Sequence, residues 1–172
     1  GRAAGGGFRL YNSRTGANVR CSNPTIDTRA RVIDCVLPGL VNAELTKIAV
    51  NTYVTMKISF ANTLADLCER LPGADVASVT DALGLDTRIG SKYLTGAIAY
   101  GGPCFPRDNK AFAVLARDLG TKALLAEATD SINDAQARRL AAIVRAHLGE
   151  NDAVGVLGLS YKPDTGVVEE SP

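Results

Sequence analysis

The feature that most constrains this chain is the run from Ala43 to Leu71, which holds no glycine or proline and is closed by Pro72-Gly73. Tyr53, Met56, Phe60, Leu64, Leu67 and Leu71 recur along it at three- and four-residue steps, so the spacing predicts one long helix with a continuous apolar stripe. At 1.5 Å per residue that helix extends on the order of 40 Å. Asn42 is the expected N-cap. The other helices legible in the chain are too short to cover such a spine. The reading is therefore a homodimer that packs residues 43–71 against their copy about a two-fold axis.

The stretch before this run has a different character. Residues 1–41 open with GRAAGGG and scatter arginines without a helical or strand period, so an irregular arm, or the remnant of an N-terminal domain, is expected there. After Pro72-Gly73, a short helix is expected over DVASVTDAL, capped by Asp75, turned inward at Val76, Val79 and Leu83, and ended at Gly84. A glycine-rich loop follows, then a helix from about Pro106 and another from about Lys122 to Leu148. Leu125, Ala128, Ile132, Leu140, Ile143 and Val144 form the expected inner face of the last helix. VGVLG near the C-terminus has the pattern of a buried parallel strand opening a βα unit. One such strand cannot bury itself, so a further domain is expected to continue from it. The fold class is mainly α, organised as 1–41, a helical domain over 42–150, and a terminal βα fragment over 151–172.

Composition narrows the function. Nineteen basic residues against eighteen acidic give a net charge of +1, without the cationic excess of a nucleic-acid binder. No apolar run is long enough for a bilayer and no leader is apparent, which predicts a soluble, cytoplasmic chain with no membrane partner. The four cysteines form no closely spaced pair and His147 is the sole histidine, so no metal site is expected.

The chemistry concentrates in GGPCFPRD. Gly101 and Gly102 let a ligand approach the backbone, and Pro106 suits the first turn of a helix. Cys104 then stands at a helix N-terminus, where free N–H groups and the dipole favour a thiolate, with Arg107 adding positive potential. Asp108, four residues on, is placed to reach a water or a substrate oxygen. On the motif alone, a buried cysteine beside an ordinary N-terminal acid is an equal reading. Lys47 and Asn51, at i and i+4 on the long helix, could together hydrogen-bond a developing oxyanion. Taken alone, that pair is more simply a solvated polar face. A thiol hydrolase would need His147 beside the nucleophile, and the position of His147 at a helix end argues against it.

AELTKIAVNTYVTMKISFANTLADLCE, RIGSKYLTGAIAYGGPCFPRDNKAF and VGVLGLSYKPDT, in this order, resemble blocks of the UDP-glucose/GDP-mannose dehydrogenase family. The first resembles the start of the family's central dimerisation domain, the second its nucleophile loop, and the third the first strand of its C-terminal nucleotide-sugar domain. The resemblance implies an NAD-dependent oxidation of a UDP- or GDP-linked hexose at C6 to the carboxylate, within a protein that is α/β as a whole. It implies that Cys104 is the nucleophile, that Lys47 and Asn51 steady the oxyanion, and that Asp108 orders the hydrolytic water. Substrate contacts are implied for Tyr93, Leu94, Thr95, Tyr100, Gly101 and Gly102 on the loop and for Tyr161 and Lys162. Arg88 is implied to reach the partner subunit's substrate, and Cys104, Phe105, Pro106 and Arg107 to border the nicotinamide. Arg107 stands where the family usually has lysine, and Glu169 where it usually has an arginine. No G-x-G-x-x-G follows a strand, so the cofactor domain is expected to lie outside these residues. The rival reading is a helical dimerisation module without catalysis.

Overall fold

A computed structural model describes the backbone of residues 8–11, 18–27, 32–36, 38–150 and 152–172, and the side chains from Asn42 onward except at residue 151. Two compact units divide it, Gly1–Lys47 and Ile48–Pro172.

In the first unit, β1 (Phe8–Tyr11), β2 (Asn18–Asp27) and β3 (Val32–Val36) pair antiparallel in the order β1-β2-β3. These strands lie in the stretch read from sequence as an irregular arm or the remnant of an N-terminal domain. Arginine and polar residues interrupt the alternation that would reveal strands, and local hairpin pairing supplies what the pattern lacks. The register shifts between Ser22 and Thr25, around Pro24, whose missing N–H suits a bulge.

The long helix α1 runs from Pro38 to Arg70, earlier at its start than the Asn42 cap predicts. Proline is favoured in a first helical turn, where its absent donor costs nothing, so Pro38 opens the helix rather than blocking it. Over 33 residues α1 extends about 50 Å. The stripe read from its periodicity is largely exposed: Phe60 retains 51% of its surface, and Tyr53, Leu67 and Leu71 retain more. The face that packs within the second unit is instead Thr52, Thr55, Ser59 and Asn62.

Helix α2 (Val76–Gly84) begins as predicted, with the Asp75 carboxylate accepting from the Ser78 N–H at 2.8 Å. Val76, Val79 and Leu83 are half-buried, and Thr80 is the buried residue of the helix. Helix α3 spans Phe105–Asp118 and α4 spans Leu124–Ala146, and the two pack together through Ala116, Ala123 and Ala126, with Phe112 and Ala113 against them. The predicted inner face of α4 is corrected here. Leu125 is 68% exposed, and the buried residues are Ala126, Thr129 and Gln136. Small and polar side chains occupy the contacts between helices, and the Ser59 hydroxyl reaches the Thr129 carbonyl at 3.2 Å to join α1 to α4. Arg139 on α4 bonds Asp66 at 3.1 Å and pairs with Glu69, both on α1.

The strand predicted at VGVLG does not form. Residues 152–172 include no strand, and Leu157 is 98% exposed. A parallel strand needs a ladder partner, and residues 152–172 hold no other strand to pair with it. Among the described residues, no helix is long and apolar enough to cross a membrane.

Candidate functional site

The site is built at the N-terminus of α3. Cys104 is its N-cap residue and is exposed, and its carbonyl accepts the first helical bond, from the Asp108 N–H at 2.9 Å. Pro106 lies in the first turn, as its fixed φ favours. The same turn carries Asp108, only 2% exposed. A carboxylate buried to that degree needs partners. It accepts from Asn51 Nδ2 at 2.7 Å and from Arg107 Nε at 3.2 Å. The K-x-x-x-N and G-G-x-C-F-P-R-D motifs therefore meet through Asn51 and Asp108, which are 57 positions apart in sequence. Lys47 stands one turn before Asn51 on α1.

The loop before Cys104 is shaped by a buried polar network. Tyr100 is nearly fully buried, and its hydroxyl donates to Asp130 Oδ1 at 2.5 Å. Asn109 Nδ2 donates to the same carboxylate oxygen at 2.9 Å and to the Tyr100 hydroxyl at 3.2 Å, while its Oδ1 accepts from Thr55. Burial, and then the hydrogen bond to the Asp130 carboxylate, push the Tyr100 phenol well above its ordinary range, because both disfavour a phenolate. Asn133 bonds both backbone groups of Tyr100, and Asn62 accepts from the Ala97 N–H at 2.7 Å. No sequence motif singles out Asn62, Asn109, Asp130 or Asn133. Their signal was asparagine and aspartate at interior-facing helical positions, where apolar residues are the rule.

Of the other predicted residues, Leu94 is buried, and Thr95 is exposed. Tyr93 takes a positive φ of 62° and sets its ring edge-on to Phe105, with centroids 6.3 Å apart. Tyr100 meets Phe105 the same way from another side, at 6.4 Å. Gly101 and Gly102 are buried under the C-terminal segment. The Gly102 N–H donates to the Glu170 carbonyl at 3.2 Å, and a Cβ on Gly102 would meet the Tyr161 ring. Lys162 lies with its ammonium 5.5 Å from the Tyr161 centroid. A cavity of about 440 Å³ opens beside Gly102 and Pro103, walled by Arg107, Lys110, Glu169 and Glu170. Arg88 is not gathered into this group. Its guanidinium forms a bidentate pair with Asp86 on an exposed turn, which draws the Asp86 carboxyl below its usual range. Lys57 anchors that turn by donating to the Ile89 and Gly90 carbonyls at 3.0 and 2.9 Å. Among the described residues, no cluster of histidine, cysteine and carboxylate side chains could hold a metal.

Comparison with known proteins agrees with this architecture. Residues 41–135 match the UDP-glucose/GDP-mannose dehydrogenase family, central domain. The chain is 43% identical over 133 residues to a UDP-glucose 6-dehydrogenase of Rhizobium meliloti (strain 1021), covering 76% of this chain and 30% of that protein. It is 40% identical over 136 residues to the UDP-glucose 6-dehydrogenase TuaD of Bacillus subtilis (strain 168), covering 78% and 29%. A solved structure of a UDP-glucose dehydrogenase from the hyperthermophilic archaeon Pyrobaculum islandicum superposes with a TM-score of 0.71 at 40% identity, covering 76% of this chain and 30% of that one. The chain thus spans about a third of the length of the relatives it matches. With its central-domain match over 41–135, the chain belongs to the UDP-glucose/GDP-mannose dehydrogenase family.

Proposed function

We propose that this chain supplies the central domain and nucleophile of an NAD-dependent dehydrogenase that oxidises C6 of a UDP- or GDP-linked hexose to the carboxylate. The observation that carries the reading is the bond from Asn51 to Asp108 at the foot of the helix that Cys104 caps. It unites in space the two motifs whose pairing suggests this chemistry. The alcohol loses a hydride and a proton to give an aldehyde, and the Cys104 thiolate adds to the carbonyl carbon to form a thiohemiacetal. Loss of a second hydride leaves a thioester, which water cleaves to the uronic acid and the free thiol. Lys47 and Asn51 steady the negative oxygen, and Asp108 orients the attacking water.

Bound NAD supplies the hydride acceptor in both oxidations. The residues here fit one edge of that cofactor. Cys104 and Arg107 are both exposed at the turn that Phe105 and Pro106 complete, beside the cavity at Gly102 and Pro103. Thr95 to Gly102, Tyr161 and Lys162 are assigned to the nucleotide sugar. The exposed stripe of α1 supports a homodimer, since apolar surface of this extent along one helix is characteristic of an interface.

The test is NADH formation from UDP-glucose or GDP-mannose by the whole protein that carries this chain. Cys104→Ser should bind the sugar nucleotide and not turn it over. Asp108→Asn should accumulate a covalent sugar adduct on Cys104, visible by mass spectrometry. A Cys104→Ser protein that makes uronic acid at the parent rate would sink the nucleophile assignment. A dimer of α1 with no such chemistry would leave the rival reading, a dimerisation module.

A further inference from the structure

The loop from Thr95 to Gly102 has no secondary structure of its own, yet three of its backbone groups are bonded by side chains from two helices. The Asn62 Oδ1 on α1 accepts the Ala97 N–H at 2.7 Å. The Asn133 Oδ1 on α4 accepts the Tyr100 N–H at 2.8 Å, while Asn133 Nδ2 donates to the Tyr100 carbonyl at 3.0 Å. Asn133 thus does for one loop residue what a neighbouring strand does in a sheet, donating and accepting at the same residue.

Neither asparagine is the choice that helix packing alone would make. Asn62 is 0% exposed inside α1, and its Nδ2 has no hydrogen-bond partner among the described residues. A buried amide with an orphaned donor is unfavourable beside a small apolar residue of similar size. What the asparagine adds is the acceptor for Ala97. The Tyr100 side chain is held as well, because its hydroxyl is bonded to Asp130 and to Asn109. Tyr100 immediately precedes the Gly101-Gly102 pair and lies four residues before Cys104, so fixing it fixes the approach to α3.

We propose that Asn62 and Asn133 are positioning residues that set the path of the 95–102 loop, and through it the place of Cys104 and of the backbone groups that meet the ligand. The inference rests on the dehydrogenase reading only for the identity of that ligand, a nucleotide sugar. The orienting role itself concerns this chain alone.

Hydrogen exchange on the full chain, read by mass spectrometry over peptides spanning residues 93–104, tests it. Asn133→Ala should speed exchange of the 97–104 amides about tenfold, the factor that loss of one such bond gives, with α1 and α2 unchanged. Asn62→Ala should do the same over 95–99. Asn133→Asp keeps the acceptor for the Tyr100 N–H and loses the donor to its carbonyl, so its effect should be intermediate. An increase confined to the Tyr100 and Ala97 amides overturns the proposal, since each asparagine would then satisfy one group and position nothing. A uniform increase across the chain in Asn133→Ala, Asn133→Asp and Asn62→Ala also overturns it, because all three would be packing defects. The same measurement on the whole protein that carries this chain, with UDP-glucose added, separates the two readings. A wild-type loop that gains no protection from UDP-glucose counts against the nucleotide-sugar ligand, and the exchange in the variants still judges the positioning role.

Discussion

Asn51 donates to the carboxylate of Asp108 across 2.7 Å, tying the middle of the long helix to the first turn of the helix that Cys104 caps. The bond is charge-assisted and its acceptor is almost fully buried, so it belongs to the stronger class of side-chain hydrogen bonds. Asn51→Ala should lower stability by roughly 1.5–3 kcal/mol, seen as a drop in thermal midpoint, with the fold retained by circular dichroism. Asn51→Asp should cost more at neutral pH, because it sets two carboxylates against each other, and should recover as the pH falls and one of them protonates. An Asn51→Asp protein equally stable at neutral and acid pH would contradict the contact.

Tyr100 offers a titration signature. Its phenol is raised above the ordinary value by burial and by Asp130, so the folded state holds the proton that the unfolded state releases. The stability contributed by the neutral phenol is therefore fully present below about pH 10, the unfolded value, and is lost as the pH rises beyond it. In an ultraviolet titration the Tyr100 phenol should resist ionisation until the protein unfolds. Tyr100→Phe should remove that last-titrating phenol. A titration in which all tyrosines ionise together at the ordinary phenol value, without unfolding, would count against the buried network.

Gly102 is held at a φ of +79° with the Tyr161 ring against it, so both backbone and space demand glycine. Gly102→Ala should destabilise by about 1–3 kcal/mol from the left-handed backbone alone, with more from the ring. Adding Tyr161→Ala should relieve the steric part and leave the backbone part, which a double-mutant cycle measures. Strict additivity of the two changes would mean that Tyr161 does not lie on Gly102 in solution.

Thiol accessibility separates the two cysteines of the helical unit. Cys104 is exposed and Cys68 is half-buried on α1. Under native conditions iodoacetamide should label Cys104 first, and the ratio should collapse in denaturant. Peptide mapping after brief alkylation reads this directly, and preferential labelling of Cys68 would refute the placement of Cys104.

The exposed stripe makes a prediction about assembly. Phe60→Glu or Leu67→Glu should leave the helix content of the chain by circular dichroism almost unchanged, because each side chain is more than half exposed within it. The same changes should convert a dimer to a monomer in sedimentation, since an unpaired charge in an apolar interface is expensive. A wild-type chain that sediments only as monomer at tens of micromolar would count against the dimer, as an order of magnitude.

The parts of this molecule that depend on neighbours along the chain were legible before any packing was known. The uninterrupted run ending at Pro72-Gly73 dictated a long helix, Asp75 was readable as a cap, and Pro106 marked the first turn of α3, because backbone hydrogen bonding and φ restriction act over a few residues. The family was legible only by resemblance, through three blocks in order and the pairing of a K-x-x-x-N helix with G-G-x-C-F-P-R-D, since the nucleophile motif alone leaves an ordinary buried cysteine as an equal reading. Which face of each helix turns inside depended on packing between helices. On α1 and α4 the sequence offers apolar residues at helical spacing, yet threonine, serine, alanine and asparagine make the contacts within the unit, and much of the apolar surface stays exposed within it. Periodicity reports that a helix has an apolar side and cannot say what that side will meet. The partnership of Asn51 with Asp108, and the bonds from Asn62 and Asn133 to the loop, were equally hidden. They join residues far apart in sequence through single polar atoms, and such pairings exist only once the helices have packed.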